Sequence, residues 1–348
     1  MTHRTPAPET PAALGYRMPG EWDRHAATWL SWPHRRRTWP DKFEPIPAVW
    51  VEFIRVLAQG EIVHVMAGGD EVWAEASRMV GHIPGVLLHN IPTNDAWCRD
   101  HGPTFLVGKP GLPPALVDWR FNAWGEKSPF EKDDAVPRQV AALTNRRRFE
   151  PGIVLEGGSI DPNGRGTILT TEACLLNKNR NPHLTRAEIE TYLADYLGCP
   201  HVLWLGEGIV GDDTDGHVDD LTRFVNPTTV VTAVEEDPAD VNYAALAENR
   251  KRLAKMKDQD GRPLEVVPLP MPRAVVHAGQ RLPASYANFY IANHAVVVPT
   301  FNDPADAVAI ETLQRLFPTH RVQGLHAVDL VWGRGTFHCI SQQEPALG

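Results

Sequence analysis

Residues 215–234 read DGHVDDLTRFVNPTTVVTAV. The first half crowds a histidine and several acids onto a short segment. A turn follows, and the second half is a β-branched run of the kind that fills a buried strand. Next comes ADVNYAALAENRKRLAKM (239–256), whose apolar residues recur at helical spacing. The unit reads as strand, turn, strand and helix, with its unusual polar groups on the first strand.

The same order recurs along the chain. DAWCRDHG (95–102) precedes PTFLV, VLEGGSI (154–160) precedes GTILTTE, and ASYANFYIAN (284–293) precedes HAVVVPTF. The last member is GTFHCISQQ (335–343), and IVHVMAG (62–68) is a further apolar strand. Helical spacing marks PAVWVEFIRVLAQ (47–59), DDAVPRQVAALTN (133–145, interrupted by Pro137), TRAEIETYLADYLG (185–198) and DPADAVAIETLQRLF (303–317). The third of these opens on a capping box, Thr185 to Glu188, and ends on glycine. Units repeating at roughly fifty to seventy residues lie near the range that builds propellers and arrays. In a closed ring, equivalent strands face one axis and their polar residues converge. The expected fold is thus α/β, with repeated strand–strand–helix units around a centre. QDGRPLEV (259–266) reads as a surface turn rather than a linker, so one domain is expected over 18–348, preceded by a loosely ordered arm over 1–17.

Composition narrows the function. A chain of 348 residues, 43% hydrophobic, can bury a large core. It has no long uncharged apolar run and no apolar segment after its early charges, so neither a membrane span nor a secretory leader is expected. Cys98, Cys174, Cys199 and Cys339 are scattered without a C-x-x-C pair, which argues against a disulfide framework or a cysteine zinc site and suits a reducing cytoplasm. A net charge of −9 disfavours nucleic acid. A homo-oligomer is compatible with the sequence, which does not fix the oligomeric state.

The polar groups carried by successive units are Asp100, Glu156, His217 with Asp219, and finally Cys339. A thiol attacks as thiolate and needs a nearby base or positive charge; His217 is the candidate base. On a strand, His217 and Asp219 would face the same way. Three carboxylates around a thiol oppose its ionisation unless the substrate is itself a cation. A planar guanidinium, with five N–H donors, matches carboxylates and can lie under the indole of Trp97. Taken singly, each residue has a plainer reading: a buried free thiol, a hydrogen-bonded core histidine, a surface Arg99–Asp100 pair, a strand-end Glu156, a core Trp97. Recurrence at matched positions favours the chemical one.

At these residues the chain resembles the agmatine deiminase and bacterial-type peptidylarginine deiminase family, guanidine-modifying enzymes of the five-bladed α/β propeller (pentein) fold. The resemblance spans about Met18 to Pro345. It rests on MPGEWDRHAATWLSWP, NDAWCRDHGPTF, VDWRFNAWG, VLEGGSIDPNGRGTILTTEACLLNKNRNP, DTDGHVDDLTRFV, PASYANFYIAN and FHCISQQEP. It implies Cys339 as nucleophile, His217 as general acid and base, and Glu156 positioning His217 and the guanidine nitrogens. Asp100 and Asp219 would grip the guanidinium, Trp97 would line the pocket, and Asp213 would face the far end of the substrate. Asn122 and Trp124 would shape the rim. No metal or organic cofactor is implied.

The acidic run Asp212, Asp213 and Asp215 fits a distal ammonium and favours agmatine, hydrolysed to N-carbamoylputrescine and ammonia on the route to putrescine. A peptidylarginine or other guanidine substrate is the alternative, then transfer of the amidino group to an amine, then a non-catalytic cation binder. The loop before the sulfur departs from the family's GGGNIHC: it reads GRGTFHC, with Arg334 for a glycine and Thr336 for an asparagine. Arg334 would block the mouth, pair with an acid or receive a carboxylate, and Arg223 adds a second positive charge near the site.

Overall fold

The repeated unit exists, extended by one strand. The computed structural model of the chain describes residues 9–346. In chain order it forms β1 (Tyr16–Arg17), β2 (His25–Ser31), α1 (Ile46–Leu57), β3 (Ile62–Met66), α2 (Asp70–Val80) and β4 (Val86–His89). A second unit follows: β5 (Thr104–Gly108), β6 (Ala115–Val117), α3 (Val136–Thr144) and β7 (Arg147–Phe149). The third is β8 (Asp161–Pro162), β9 (Thr167–Thr171), α4 (Arg186–Leu197) and β10 (His201–Leu205). The fourth is β11 (Thr222–Phe224), β12 (Thr229–Val234), α5 (Tyr243–Leu253) and β13 (Glu265–Pro270). A small hairpin, β14 (Val276–His277) and β15 (Gln280–Arg281), leads to β16 (Tyr290–Ile291), β17 (Ala295–Thr300), α6 (Ala305–Leu316), β18 (Arg321–His326) and β19 (Ser341–Pro345).

Apart from the hairpin, the strands form five sheets of three or four strands. In each, an entry strand pairs antiparallel with a central strand, and the chain returns through a helix to a parallel neighbour, as in β11–β12–β13 and β16–β17–β18. The fifth sheet, β19–β2–β3–β4, takes its entry strand from the far end of the sequence. The architecture is α/β.

The helices form where the apolar spacing places them. The α4 capping box is present: Thr185 Oγ1 accepts from the Glu188 amide while the Glu188 carboxylate accepts from the Thr185 amide, and Gly198 closes the helix at φ 66°. Pro137 falls in the first turn of α3, where an absent N–H costs nothing, so it starts the helix rather than weakening it. α2 was not expected; its only buried side chains are Ala76 and Val80, too thin an apolar stripe to stand out.

Two expectations are corrected. Residues 9–17 are not loose: Ala12 N donates to Asp195 O (2.9 Å), Met18 N to Leu197 O (2.8 Å), and Tyr16 is buried, so this stretch is fastened along α4. Residues 1–8 lie outside the described part. The polar segments are also not simple strands. Each makes a single tight turn, at Cys98–His101, Gly157–Ser159, Val218–Asp220 and Tyr286–Asn288. His217 and Asp219 therefore do not share a strand face. Gly216 stands at φ 99°, and Asp212 accepts hydrogen bonds from the amides of Gly216 and His217 (both 3.0 Å), which curls the chain there.

The largest core cluster joins Trp50, Phe53 and Ile54 of α1 to Val63 and Val65 of β3, Val296–Val298 of β17 and Leu313 of α6. It extends directly into Trp97, Phe337, Cys339 and Ile340. Phe337 stacks near Phe53, ring centroids 5.0 Å apart. The segment that carries the last cysteine is thereby anchored on both sides by fully buried apolar residues. No helix among the described residues is long and apolar enough to cross a membrane.

Candidate active site

The four tight turns and the segment carrying Cys339 touch one another in sequence. Gly158 N donates to Asp100 Oδ1 (3.1 Å), and Thr171 Oγ1 beside the second turn donates to Gly216 O (2.6 Å). Ser285 Oγ donates to Asp220 O (2.7 Å), Asn288 Nδ2 to Cys339 Sγ (3.1 Å), and Arg99 N to Cys339 O (3.0 Å). The chain of contacts returns to where it began. Gly158 lies at its centre: a Cβ there would fall 2.6 Å from His217 Nδ1, 2.8 Å from Asp100 Oδ1 and 3.0 Å from Asp219 Oδ2.

Cys339, Asp100 and Trp97 line the buried end of a cavity of about 590 Å³. Glu156, His217 and Asp219 are buried behind that surface. The Cys339 thiol lies 3.7 Å from Asp219 Oδ2. Burial, then the charges of Asp219, Asp220 and Asp100, push it well above the ordinary thiol range. Gly335 leaves the gap in front of it, since a Cβ there would meet Trp97 at 2.7 Å and the sulfur at 3.1 Å.

His217 Nδ1 stands 3.7 Å from Asp100 Oδ1 and 4.0 Å from Asp219 Oδ1. Burial alone would lower its proton affinity, but Asp100 foremost, with Cys174 and Asp219, raises it well above the usual imidazole value. Neither ring nitrogen has a hydrogen-bond partner among the described residues; the same holds for Glu156 Oε2 and Asp219 Oδ1. Unpaired buried polar atoms are scarce in folded proteins, and here four of them surround one spot. Glu156 presents that free oxygen because its other one accepts from Arg180 Nε (2.6 Å). Two trios, Glu156–Cys174–His217 and Asp219–Asp220–Cys339, bring potential metal-donor atoms within 4.8 Å of one another.

The acids differ in state. Burial raises Asp100 up to about 6, reinforced by Asp219 and Glu156 against the pull of His217. Burial likewise opposes ionisation of Asp219, yet His338 outweighs it and the carboxyl is held low. Asp220, next to it, is raised well above the carboxylate range by burial and by Asp219. Adjacent acids with opposed shifts are characteristic of sites that store a proton.

A second layer holds the first. His338 Nδ1 lies 2.7 Å from Asp219 Oδ2, and its Nε2 lies 2.8 Å from Glu21 Oε2. Glu21 also accepts from Arg223 (2.8 Å) and from the Ile291 amide (2.9 Å). Asn288 Oδ1 accepts from the Thr336 amide (3.2 Å), the Thr336 hydroxyl (2.7 Å) and the Cys339 amide (3.4 Å), fixing the loop under the sulfur. Arg223 is not a substrate-facing cation: it is fully buried and directed at Asp161 (2.7 Å), Glu21 and the carbonyls of Ala287 and Phe289. Arg223→Leu is expected to leave Asp161 buried with no cation beside it and to remove one of the cations facing Glu21, costing about 3–5 kcal/mol of stability in denaturant unfolding. A loss under about 1 kcal/mol would mean that the network relaxes without it.

The acidic run divides by role. Asp212 accepts from the loop amides and the Thr214 hydroxyl (2.5 Å); Asp215 accepts from Lys127 (3.0 Å), Asn179 (2.9 Å) and Arg180 (2.6 Å). Asp213 alone of the three lines the cavity, at its exposed end. Trp124 does line it, donating from Nε1 to Asp100 Oδ2 (2.9 Å). Asn122 does not; it accepts from Gly125 N (3.0 Å) and donates to Asn179 O (2.9 Å) behind a run of left-handed residues at 123–126.

The model of the Porphyromonas-type peptidyl-arginine deiminase family matches residues 17–345. The chain belongs to that family. Agmatine deiminases of Ectopseudomonas mendocina and Pseudomonas aeruginosa (strain LESB58) are 39% and 40% identical to it. In each comparison the match covers 97% of both chains. A solved agmatine deiminase of Enterococcus faecalis superposes with a TM-score of 0.92 at 35% identity, covering 99% of each chain.

Of the residues singled out from the sequence, Cys339, His217, Glu156, Asp219, Asp100 and Trp97 are brought together, and Asp213 stands at the mouth. Asn288, His338, Glu21 and Asp220 were not singled out. The repeat pattern held a signal for Asn288, because the ASYANFYIAN unit was the only polar segment left without a named group.

Proposed function

We propose that this member of the family is an agmatine deiminase, a hydrolase acting on the C–N bond of a linear amidine. It would convert agmatine and water to N-carbamoylputrescine and ammonia, and we propose that it does so in the cytoplasm, in the synthesis of putrescine. The observation that carries the reading is the meeting of a thiol at the closed end of one cavity with, just behind it, an imidazole with both nitrogens uncommitted and carboxylates with unpaired oxygens. The agmatine deiminases at 39–40% identity support it.

In this reading the guanidinium enters beneath Trp97 and supplies the positive charge that the raised thiol lacks. Asp100 and Asp219 hold its nitrogens, and Cys339 Sγ releases its proton to solvent along the cavity and attacks the central carbon. His217, already protonated, hands a proton to the departing nitrogen, which leaves as ammonia with cleavage of the C–N bond. An amidino-thioether remains on Cys339. Neutral His217 then takes a proton from water as its oxygen adds to the same carbon. The C–S bond breaks, the thiolate is restored, and the ureido product departs. We also propose that the five sheets stand as the blades of a five-bladed α/β propeller within one domain from residue 18 onward. The returning chain of contacts among their tight turns supports this arrangement.

The test is product analysis in ¹⁸O-labelled water: one label in the ureido oxygen and one ammonia per turnover are expected. Transfer of the amidino group to an added amine, with no label incorporated, would overturn the assignment. The acid limb follows from Asp100. Below about pH 6 its carboxyl gains a proton and ceases to attract a guanidinium, so kcat/KM for agmatine is expected to fall about tenfold per pH unit. Asp100→Asn should lower kcat/KM and flatten that limb; a limb unchanged in the variant would assign it to another group.

A further inference from the structure

The geometry points to Arg334 as the residue that sets which substrate tails the cavity accepts: it neutralises Asp213 and thereby penalises guanidines with a cationic tail. This rests on the guanidine-hydrolase reading above. Three carboxylates line the cavity. Asp100 belongs to the sulfur end. Asp95 is buried and accepts from Thr38 (2.6 Å), Arg35 (3.3 Å) and the Ala96 amide (2.8 Å). Asp213 is left as the acid available to a substrate's far end, its side chain 55% exposed.

That acid is already faced. Arg334 Nη1 lies 3.7 Å from Asp213 Oδ1, and Nη2 donates to Gln280 Oε1 (3.0 Å) on the β14–β15 hairpin. Lys127 Nζ donates to the carbonyl of Asp213 (2.5 Å), adding a second cation at the same corner. Arg334 also occupies a backbone position that does not favour it. It stands at φ 75° between Gly333 and Gly335, in the left-handed region where glycine carries no penalty. An ammonium tail must therefore displace Arg334 from Asp213, whereas an uncharged tail need not and a carboxylate tail gains a partner.

The experiment compares agmatine (ammonium tail), butylguanidine (neutral) and 4-guanidinobutanoate (carboxylate) in the wild type, Arg334→Gly and Arg334→Gln. Glycine relaxes the backbone; glutamine removes the charge and shortens the side chain while keeping it polar. Both variants are expected to lower KM for agmatine roughly two- to fivefold, the scale of one exposed ion pair. They should also raise KM for 4-guanidinobutanoate, so the ratio of kcat/KM for the two tails shifts toward the cation. In an Asp213→Asn background the gain for agmatine should vanish. A hydrolysing protein whose tail ratio stays constant in both variants, or moves toward the anion, overturns the inference while leaving the hydrolase intact. A wild-type protein that yields no ureido product from any of the three overturns the underlying reading and this inference with it.

Discussion

Cys339→Ala is expected to reduce ureido product from agmatine by about ten-thousand-fold or more, since no other group in the pocket can form the covalent intermediate. The thiol that would attack is held by a single good contact, Asn288 Nδ2 at 3.1 Å, over a loop that Asn288 also fixes. Removing the sulfur leaves that amide short of one weak acceptor, at a cost of about 1–2 kcal/mol. Phe337 and Ile340 remain buried on either side, so the variant should keep its circular dichroism spectrum and unfold cooperatively. Rapid acid quench followed by intact mass measurement should show an amidino adduct on the wild type and none on the variant. Ammonia release by the alanine protein at the wild-type rate would remove Cys339 from the chemistry.

The second large effect is expected at His217. His217→Asn should lower kcat by about 10²–10⁴-fold, the usual contribution of a positioned general acid and base, with a much smaller change in KM. The ring has no structural hydrogen bond to lose. Its loss should therefore appear in turnover rather than in folding. A second consequence separates it from a packing defect: the charge on His217 lowers the Asp100 carboxyl. Without it that carboxyl rises further, so the acid limb of kcat/KM should move above about 6. A variant with normal turnover, or one whose acid limb stays in place, would contradict the role assigned to the imidazole.

How much of this was legible in the sequence depends on where each conformation is decided. Helices α1 and α4–α6 are decided locally, by apolar spacing and by devices such as the Thr185–Glu188 box, and they stand close to their expected positions. The central strands β9, β12 and β17 are decided by β-branched runs and are equally readable, whereas the central strands β2 (HAATWLS) and β6 (ALV) carry no such run and do not stand out. The polar turns are decided by distant partners. Asp212 curls the chain at His217, and Asn288 fixes the loop of Cys339, 51 residues further on. Nothing local distinguishes such a turn from a strand end. The same reason hid Glu21 and His338, which meet across 317 positions. Arg223 looked like a site cation because it lies near His217 in sequence, whereas its side chain is buried against Asp161 and Glu21.

The strand that follows the sulfur, β19, lies antiparallel on β2, with Ser341 opposite Leu30 and Gln343 opposite Thr28. A ribosome makes β2 early and β19 late. For most of its synthesis the protein therefore carries the acids and the imidazole without the Cys339 thiol beside them, and one flank of β2 stays bare, open to pairing with the wrong strand. Completion of the thiol–imidazole–acid cluster and protection of that flank come together, when residues 336–345 dock.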